Sequence, residues 1–148
     1  MTTVMLVGST GSGKTTLSQR LRDCDLEYSK TQTIVWEGGF LDTPGEYVDH
    51  GSFKNALLVA SYEADAVLML DAAPDEGSRL PPLFASMFNL PVIGVVTKTD
   101  ISSIGQVVEA RARLDLAGAH EVLEVSAMSG LGLRQLSTRI ASFSEKEV

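Results

Sequence analysis

The chain alternates between short, continuously apolar runs and longer stretches whose apolar residues recur with helical spacing. Met5-Leu6-Val7, Ala66-Val67-Leu68-Met69-Leu70 and Pro91-Val92-Ile93-Gly94-Val95-Val96 show no polar alternation, as strands covered by helices on both faces should not. Val122-Leu123-Glu124-Val125 reads as a last strand. Between these runs, residues 15–21 carry leucines at i and i+4, and residues 53, 56, 57 and 60 form one apolar stripe. Positions 107, 110, 114 and 117 form another, with Gly118 placed to cap it, and Leu133, Leu136, Ile140 and Phe143 mark a closing helix. A further helix is expected around residues 81–88, with proline in its first turn, where a missing N–H does no harm. Ile34-Val35-Trp36-Glu37 and Phe40-Leu41-Asp42-Thr43, joined by Gly38-Gly39, predict a hairpin. Strands alternating with helices predict an α/β fold: a mostly parallel sheet between two helical layers.

Composition sharpens this in three ways. A chain of 148 residues, 44% hydrophobic, suits one compact domain, expected over residues 1–143 with 144–148 as a frayed tail. A formal charge of −7 repels polyphosphate backbones, so nucleic acid is not an expected partner. The lone Cys24 cannot form an internal disulfide, Met1-Thr2-Thr3 leads directly into a strand, and the apolar runs fall far short of the roughly 20 residues that span a bilayer. A cytoplasmic protein without a membrane span is expected.

The chemistry concentrates where strands end. Gly8-Ser9-Thr10-Gly11-Ser12-Gly13-Lys14-Thr15 fits G-x-x-x-x-G-K-[ST] between an apolar strand and a helix. In such a loop, backbone N–H groups converge on phosphate oxygens, the lysine ammonium reaches the β/γ-phosphates, and the hydroxyl of Thr15 helps to hold Mg²⁺. Residues 8–16, including Thr16, are the expected phosphate-binding set. The non-periodic loop 26–33 follows the first helix, and Thr31 or Thr33, 17 and 19 residues past Lys14, can supply a second metal ligand and a cover for the γ-phosphate. Asp42-Thr43-Pro44-Gly45 is D-x-x-G: an acid for the Mg²⁺ shell, then a glycine whose N–H can approach the γ-phosphate. Glu46 comes next, where a side chain can face the attacking water. Lys14, Thr31, Gly45 and Glu46 are thus the candidates for action on the γ-phosphate.

A base is read further on. Thr97-Lys98-Thr99-Asp100 follows a buried strand, where α/β sheets bind ligands. The Asp100 carboxylate can accept from guanine N1–H and N2–H₂, whereas adenine offers neither donor, and the Lys98 stem can lie along the base. After the last strand, Ser126-Ala127-Met128-Ser129-Gly130 can bring a backbone N–H to guanine O6. GTP or GDP with Mg²⁺ is the expected cofactor set, with ATP as the competing nucleotide.

In order and spacing these elements resemble the small GTPase-like domains, and S-A-x-S-G-x-G-L together with D-T-P-G resembles the Era/TrmE branch. More narrowly, Lys30-Thr31-Gln32, Asp42-Thr43-Pro44-Gly45-Glu46-Tyr47, Glu63-Ala64-Asp65 and Pro91-Val92-Ile93-Gly94-Val95-Val96-Thr97-Lys98 are similar to the EutP/PduV family. That resemblance implies a three-layer P-loop NTPase fold and Thr31 as the switch threonine. It also implies service to ethanolamine or propanediol utilisation at bacterial microcompartments, where a shell protein, an enzyme or a second copy of the chain would be the partner. Only ten residues separate Thr31 from Asp42, so the second strand must be shortened. Thr10 and Gly11 stand where the Era/TrmE loop carries proline and asparagine, and potassium-assisted hydrolysis is not expected. Three functions compete: a slow GTPase switch, a small-molecule kinase of the acetate kinase type assigned within that family, and a non-hydrolysing interaction module.

Overall fold

The computed structural model describes residues 3–21, 35–37, 39–49, 54–74 and 80–143, excepting the side chains of 35–37, 46 and 49. Among these residues one sheet contains β1 (Val4–Gly8), β2 (Val35–Glu37), β3 (Phe40–Asp42), β4 (Ala66–Ala72), β5 (Val92–Thr97) and β6 (Glu121–Glu124), in the order β2-β3-β1-β4-β5-β6. The helices are α1 (Lys14–Leu21), α2 (Glu46–Asp49), α3 (Lys54–Ser61), α4 (Ile104–Leu116) and α5 (Leu133–Ala141). β1 pairs in parallel with β3 and β4, β4 with β5, and β5 with β6, while β2 runs antiparallel to β3. The second strand is short, at three residues. From β1 the chain moves to β3 on one side and then to β4 on the other. The topological switch point therefore lies beside β1, where open α/β sheets form a ligand crevice.

Successive strand residues point to opposite faces, which explains the continuously apolar runs. Met5 and Val7 pack with Val67, Met69, Val92 and Val96 beneath Leu57 of α3 and Ala110 and Leu114 of α4. Val4 and Leu6 pack with Leu68, Leu70, Ile93 and Val95 beneath Leu17 of α1 and Leu136 of α5. These two clusters make the three layers. At the end of β4 the buried Asp71 carboxylate accepts from Arg113 Nε at 2.7 Å and pins α4 across the sheet. At the β6 edge, Glu121 pairs with Arg139 of α5 and Glu124 with Arg111 of α4, so both faces of an otherwise open strand carry charge.

Several elements differ from the sequence expectation. Residues 81–88 hold a four-residue 3₁₀ turn, Phe84–Met87, and not an α-helix. The reason is where its N–H groups go: Leu83 N donates to Leu116 O and Ala85 N to Ala117 O, covering the end of α4 instead of bonding back along their own segment. α4 starts at Ile104, three residues ahead of the first apolar stripe position at 107, because Ser103 and Gln106 form a reciprocal capping box. Gly118, at φ +98°, follows its end as expected. α2 is a single turn that the apolar pattern did not announce. The hairpin's second strand ends at Asp42, before Thr43, and Thr97 closes β5 from within the strand.

Candidate functional site

The carboxyl ends of β1, β3 and β5 converge on the phosphate loop. Gly8 ends β1, the loop turns on a Ser12 N to Ser9 O bond of 3.0 Å, and Lys14 opens α1. Gly11 and Gly13 adopt φ of +85° and +94°, in the left-handed region that other residues avoid. Lys14 is buried at 7% exposure, and its Nζ donates to Gly8 O at 2.7 Å, Ser9 O at 3.1 Å and Ser12 Oγ at 3.4 Å. Thr16 sits half-buried in the first turn of α1. The Ser9 hydroxyl is enclosed with no hydrogen-bond partner among the described residues. A buried ammonium, an enclosed hydroxyl lacking a partner and glycines at positive φ suit an anionic ligand.

β3 brings the second motif against this loop. Thr15 Oγ1 donates to Asp42 Oδ2 at 2.6 Å, and Thr43 Oγ1 donates to Leu6 O at 2.7 Å, fastening the D-x-x-G segment to β1. A Cβ added at Gly45 would meet the backbone of Thr10 inside contact distance and the Thr10 hydroxyl at 2.6 Å, so only glycine allows the two loops to meet this closely. The donors at Thr15 and Asp42 are hard oxygens of the kind that suits Mg²⁺. No group of three His, Cys, Asp or Glu side chains among the described residues could hold a metal alone. Phosphate and water oxygens would complete such a shell. Thr31 and Thr33 lie outside the described residues, as does the side chain of Glu46, whose backbone opens α2 beside Gly45.

β5 and β6 supply the base-reading candidates. Lys98 adopts φ +59°, a left-handed conformation unusual for a side-chain-bearing residue, and its Nζ donates to Gly11 O at 2.7 Å. Asp100, exposed, accepts at Oδ1 from Ser126 Oγ at 2.8 Å. Ser126 Oγ in turn accepts from Ser129 N at 3.1 Å, and Thr99 N and Oγ1 both donate to Val125 O. The segments 97–100 and 125–129 are thus bonded to each other, and Ala127 lies in the second, next to Ser126. Thr97 behaves differently from its expected place in a base-reading motif. The residue is 4% exposed, and its hydroxyl donates to Ser12 O at 2.7 Å, fastening β5 to the phosphate loop. The tie between residues 12 and 97 had no local sequence signal, because it spans 85 positions.

A central parallel sheet, a glycine loop feeding α1 and motif loops at the carboxyl edge define a P-loop protein of the small GTPase-like class. Among solved structures, the chain resembles elongation factor SelB from Methanococcus maripaludis bound to the GTP analogue GPPNHP, with a TM-score of 0.67 at 23% identity. That match covers 98% of this chain and 35% of SelB; the apo form of SelB matches with a TM-score of 0.63 over 96% and 33%. The chain belongs to the PduV–EutP family, described as ethanolamine utilisation and propanediol utilisation, whose sequence model matches residues 1–142. It is 38% identical to the propanediol utilization protein PduV of Citrobacter freundii over 92% of this chain and 91% of that protein. It is 30% identical to the probable acetate kinase EutP of Salmonella typhimurium over 99% and 94%. No helix among the described residues is long and apolar enough to cross a membrane.

Proposed function

We propose that this protein binds GTP and GDP with Mg²⁺ and hydrolyses GTP slowly, as a single domain serving ethanolamine or propanediol utilisation. The observation that carries this reading is the joining of two recognition loops at one edge of the sheet. Lys98 bonds the phosphate loop at Gly11, while two residues later Asp100 is held by Ser126 with its carboxylate exposed. A triphosphate laid along this edge puts its phosphates at the Lys14 loop and its base at Asp100. Cytoplasmic residence near a microcompartment, with a shell protein, an enzyme or a second copy as partner, belongs to the same reading and is supported by membership of a family of ethanolamine and propanediol utilisation.

In this reading, Lys14 exchanges the carbonyls of Gly8 and Ser9 for β/γ-phosphate oxygens, which are stronger, charged acceptors. Thr15, Asp42 and Thr31 would hold Mg²⁺, which when bound would offset the negative charge of the phosphates. Water attacks the γ-phosphorus, the bond to the β–γ bridging oxygen breaks, and GDP and phosphate leave. The Lys14 ammonium and the Gly45 N–H meet the charge that develops.

A second reading, an ATP-dependent acetate kinase on the same loop, is favoured by the name carried by the Salmonella relative. Calorimetric titration with GTP, GDP, ATP and ADP in the presence of Mg²⁺ separates the two. Guanine nucleotides are expected to bind more tightly. Equal or tighter ATP binding, accompanied by acetyl phosphate formation from ATP and acetate, would replace this proposal with the kinase.

A further inference from the structure

α1 begins at Lys14, and Arg20 stands six residues along it, about 9 Å away at the rise of an α-helix. Arg20 Nε donates to Ala127 O at 2.8 Å, joining positions 107 apart in sequence. The same guanidinium lies along the loop beyond, where a Cβ added at Gly130 would stand 3.6 Å from Nη2. Several bonds hold this loop from within: Ser126 N donates to Leu131 O, Gly130 N to Ser126 O, and Ser129 N to Ser126 Oγ. Ala127 is held differently. Its carbonyl is held from outside the loop by a charged donor, and its N–H has no hydrogen-bond partner among the described residues. The Ala127 N–H shares a rigid peptide plane with the Ser126 carbonyl, which Gly130 N holds, and the Ala127 carbonyl lies in the next plane, which Arg20 holds; with the planes on both sides of the Ala127 Cα held, the direction of its N–H is held too.

We propose that Arg20 is a positioning residue for purine selection: by locking the peptide plane that follows Ala127, it keeps the Ala127 N–H, whose own plane is set by the Gly130 N to Ser126 O bond, aimed at the 6-oxo group of a guanine-type base. The proposal rests on the guanine reading above. It gives α1 a second task, since the helix that presents Lys14 to phosphate also orients the contact to the base. A guanidinium suits this better than an ammonium, because its planar fork holds each donor in a fixed direction.

The test compares GDP with the diphosphate of 2-aminopurine riboside, which keeps the 2-amino group and lacks the 6-oxo group, and with ADP. Calorimetry with Mg²⁺ on Arg20→Ala should show GDP weakened about tenfold, the loss of one well-placed hydrogen bond, with the other two nucleotides within about twofold of wild type. Arg20→Lys should fall between. An equal loss for all three nucleotides would mean that Arg20 merely stabilises the fold, and an unchanged GDP affinity would remove its role altogether; either overturns the proposal. If Arg20→Ala does not fold, Arg20→Gln and Arg20→Lys carry the same three-way comparison. A wild type that binds ADP as tightly as GDP overturns the guanine reading and this proposal together. A wild type that prefers GDP, beside an Arg20→Ala variant with the same preference, overturns the role of Arg20 alone.

Discussion

At the phosphate end of the carboxyl edge, Lys14 Nζ is spent on Gly8 O and Ser9 O, and the Thr15 hydroxyl on Asp42. At the base end, Ser126 holds one oxygen of Asp100 while the side chain as a whole stays exposed, and Arg20 and Ser126 hold the loop on either side of Ala127. Lys14 and Thr15 at the first end are satisfied by their own chain, so a ligand that takes them replaces existing bonds. The second is oriented in advance and needs no bond broken. On the proposed reading, phosphate binding at the first end would yield the difference between phosphate and carbonyl acceptors, whereas base discrimination at the second would draw on geometry already in place. Thr97 and Lys98 tie the two ends together through Ser12 and Gly11.

The largest effect should come from breaking the phosphate end. Lys14→Ala removes an ammonium that would make two or more charge-assisted bonds to a triphosphate, each about 1.5–3 kcal/mol, so GTP affinity should fall at least about a hundredfold. The loss should be as large for ATP as for GTP, since the lysine does not see the base. Titration of the folded variant checks this, and retained affinity would mean that the loop does not hold phosphate.

The base end should break differently. Asp100→Asn replaces an acceptor by a group that also donates, so GTP affinity should drop about ten- to hundredfold while xanthosine triphosphate, whose 2-oxo group accepts, should gain. ATP affinity should move little. Identical shifts for GTP and ATP would show that Asp100 supports the loop without reading the base.

The same contrast governs what was legible in the sequence. Buried parallel strands announce themselves as apolar runs, and a loop that cradles phosphate needs glycines at fixed spacing, so the layers and the run from Gly8 to Thr15 could be read locally. The ties could not be. Arg20 to Ala127 and Thr97 to Ser12 join positions 107 and 85 apart, and nothing beside either residue signals its partner. The 3₁₀ turn at Phe84–Met87 was misjudged for the same reason, since its neighbouring N–H groups serve carbonyls of α4. The early start of α4 was a different failure: S-x-x-Q at Ser103 and Gln106 is a local capping signal that periodicity alone passed over.

Thr97 offers a way to loosen the tie while leaving both ends chemically intact. Thr97→Val keeps the shape and removes the hydroxyl that donates to Ser12 O inside the core. Stability should fall by about 1–3 kcal/mol, the cost of stranding a buried acceptor. GDP and ADP should weaken together by only a few fold, because the phosphate loop loses its anchor while Asp100 and Ser126 keep theirs. Chemical denaturation read beside calorimetry checks both parts; a loss confined to GDP would make Thr97 part of the base site after all.

The smallest expected effect concerns rate. Glu46 directly follows Gly45, where an amide side chain could both accept from the attacking water and donate to a phosphate oxygen, whereas a carboxylate accepts only and adds like charge beside the γ-phosphate. Residues 26–33 contain no arginine, so this stretch of sequence offers no arginine finger to the transition state. With Lys14, Mg²⁺ and backbone N–H groups acting alone, single-turnover hydrolysis should proceed at roughly 10⁻⁴ to 10⁻² s⁻¹. Glu46→Gln should raise this rate by less than about tenfold, under about 1.4 kcal/mol of barrier, since orienting water does not replace the missing charge. GTP affinity should be nearly unchanged. Dilution separates the sources of any further acceleration: a rate that climbs with protein concentration would mean that a second copy supplies a group, while turnover above about 1 s⁻¹ at high dilution would mean that this chain already holds a charge-stabilising group outside the phosphate and D-x-x-G loops.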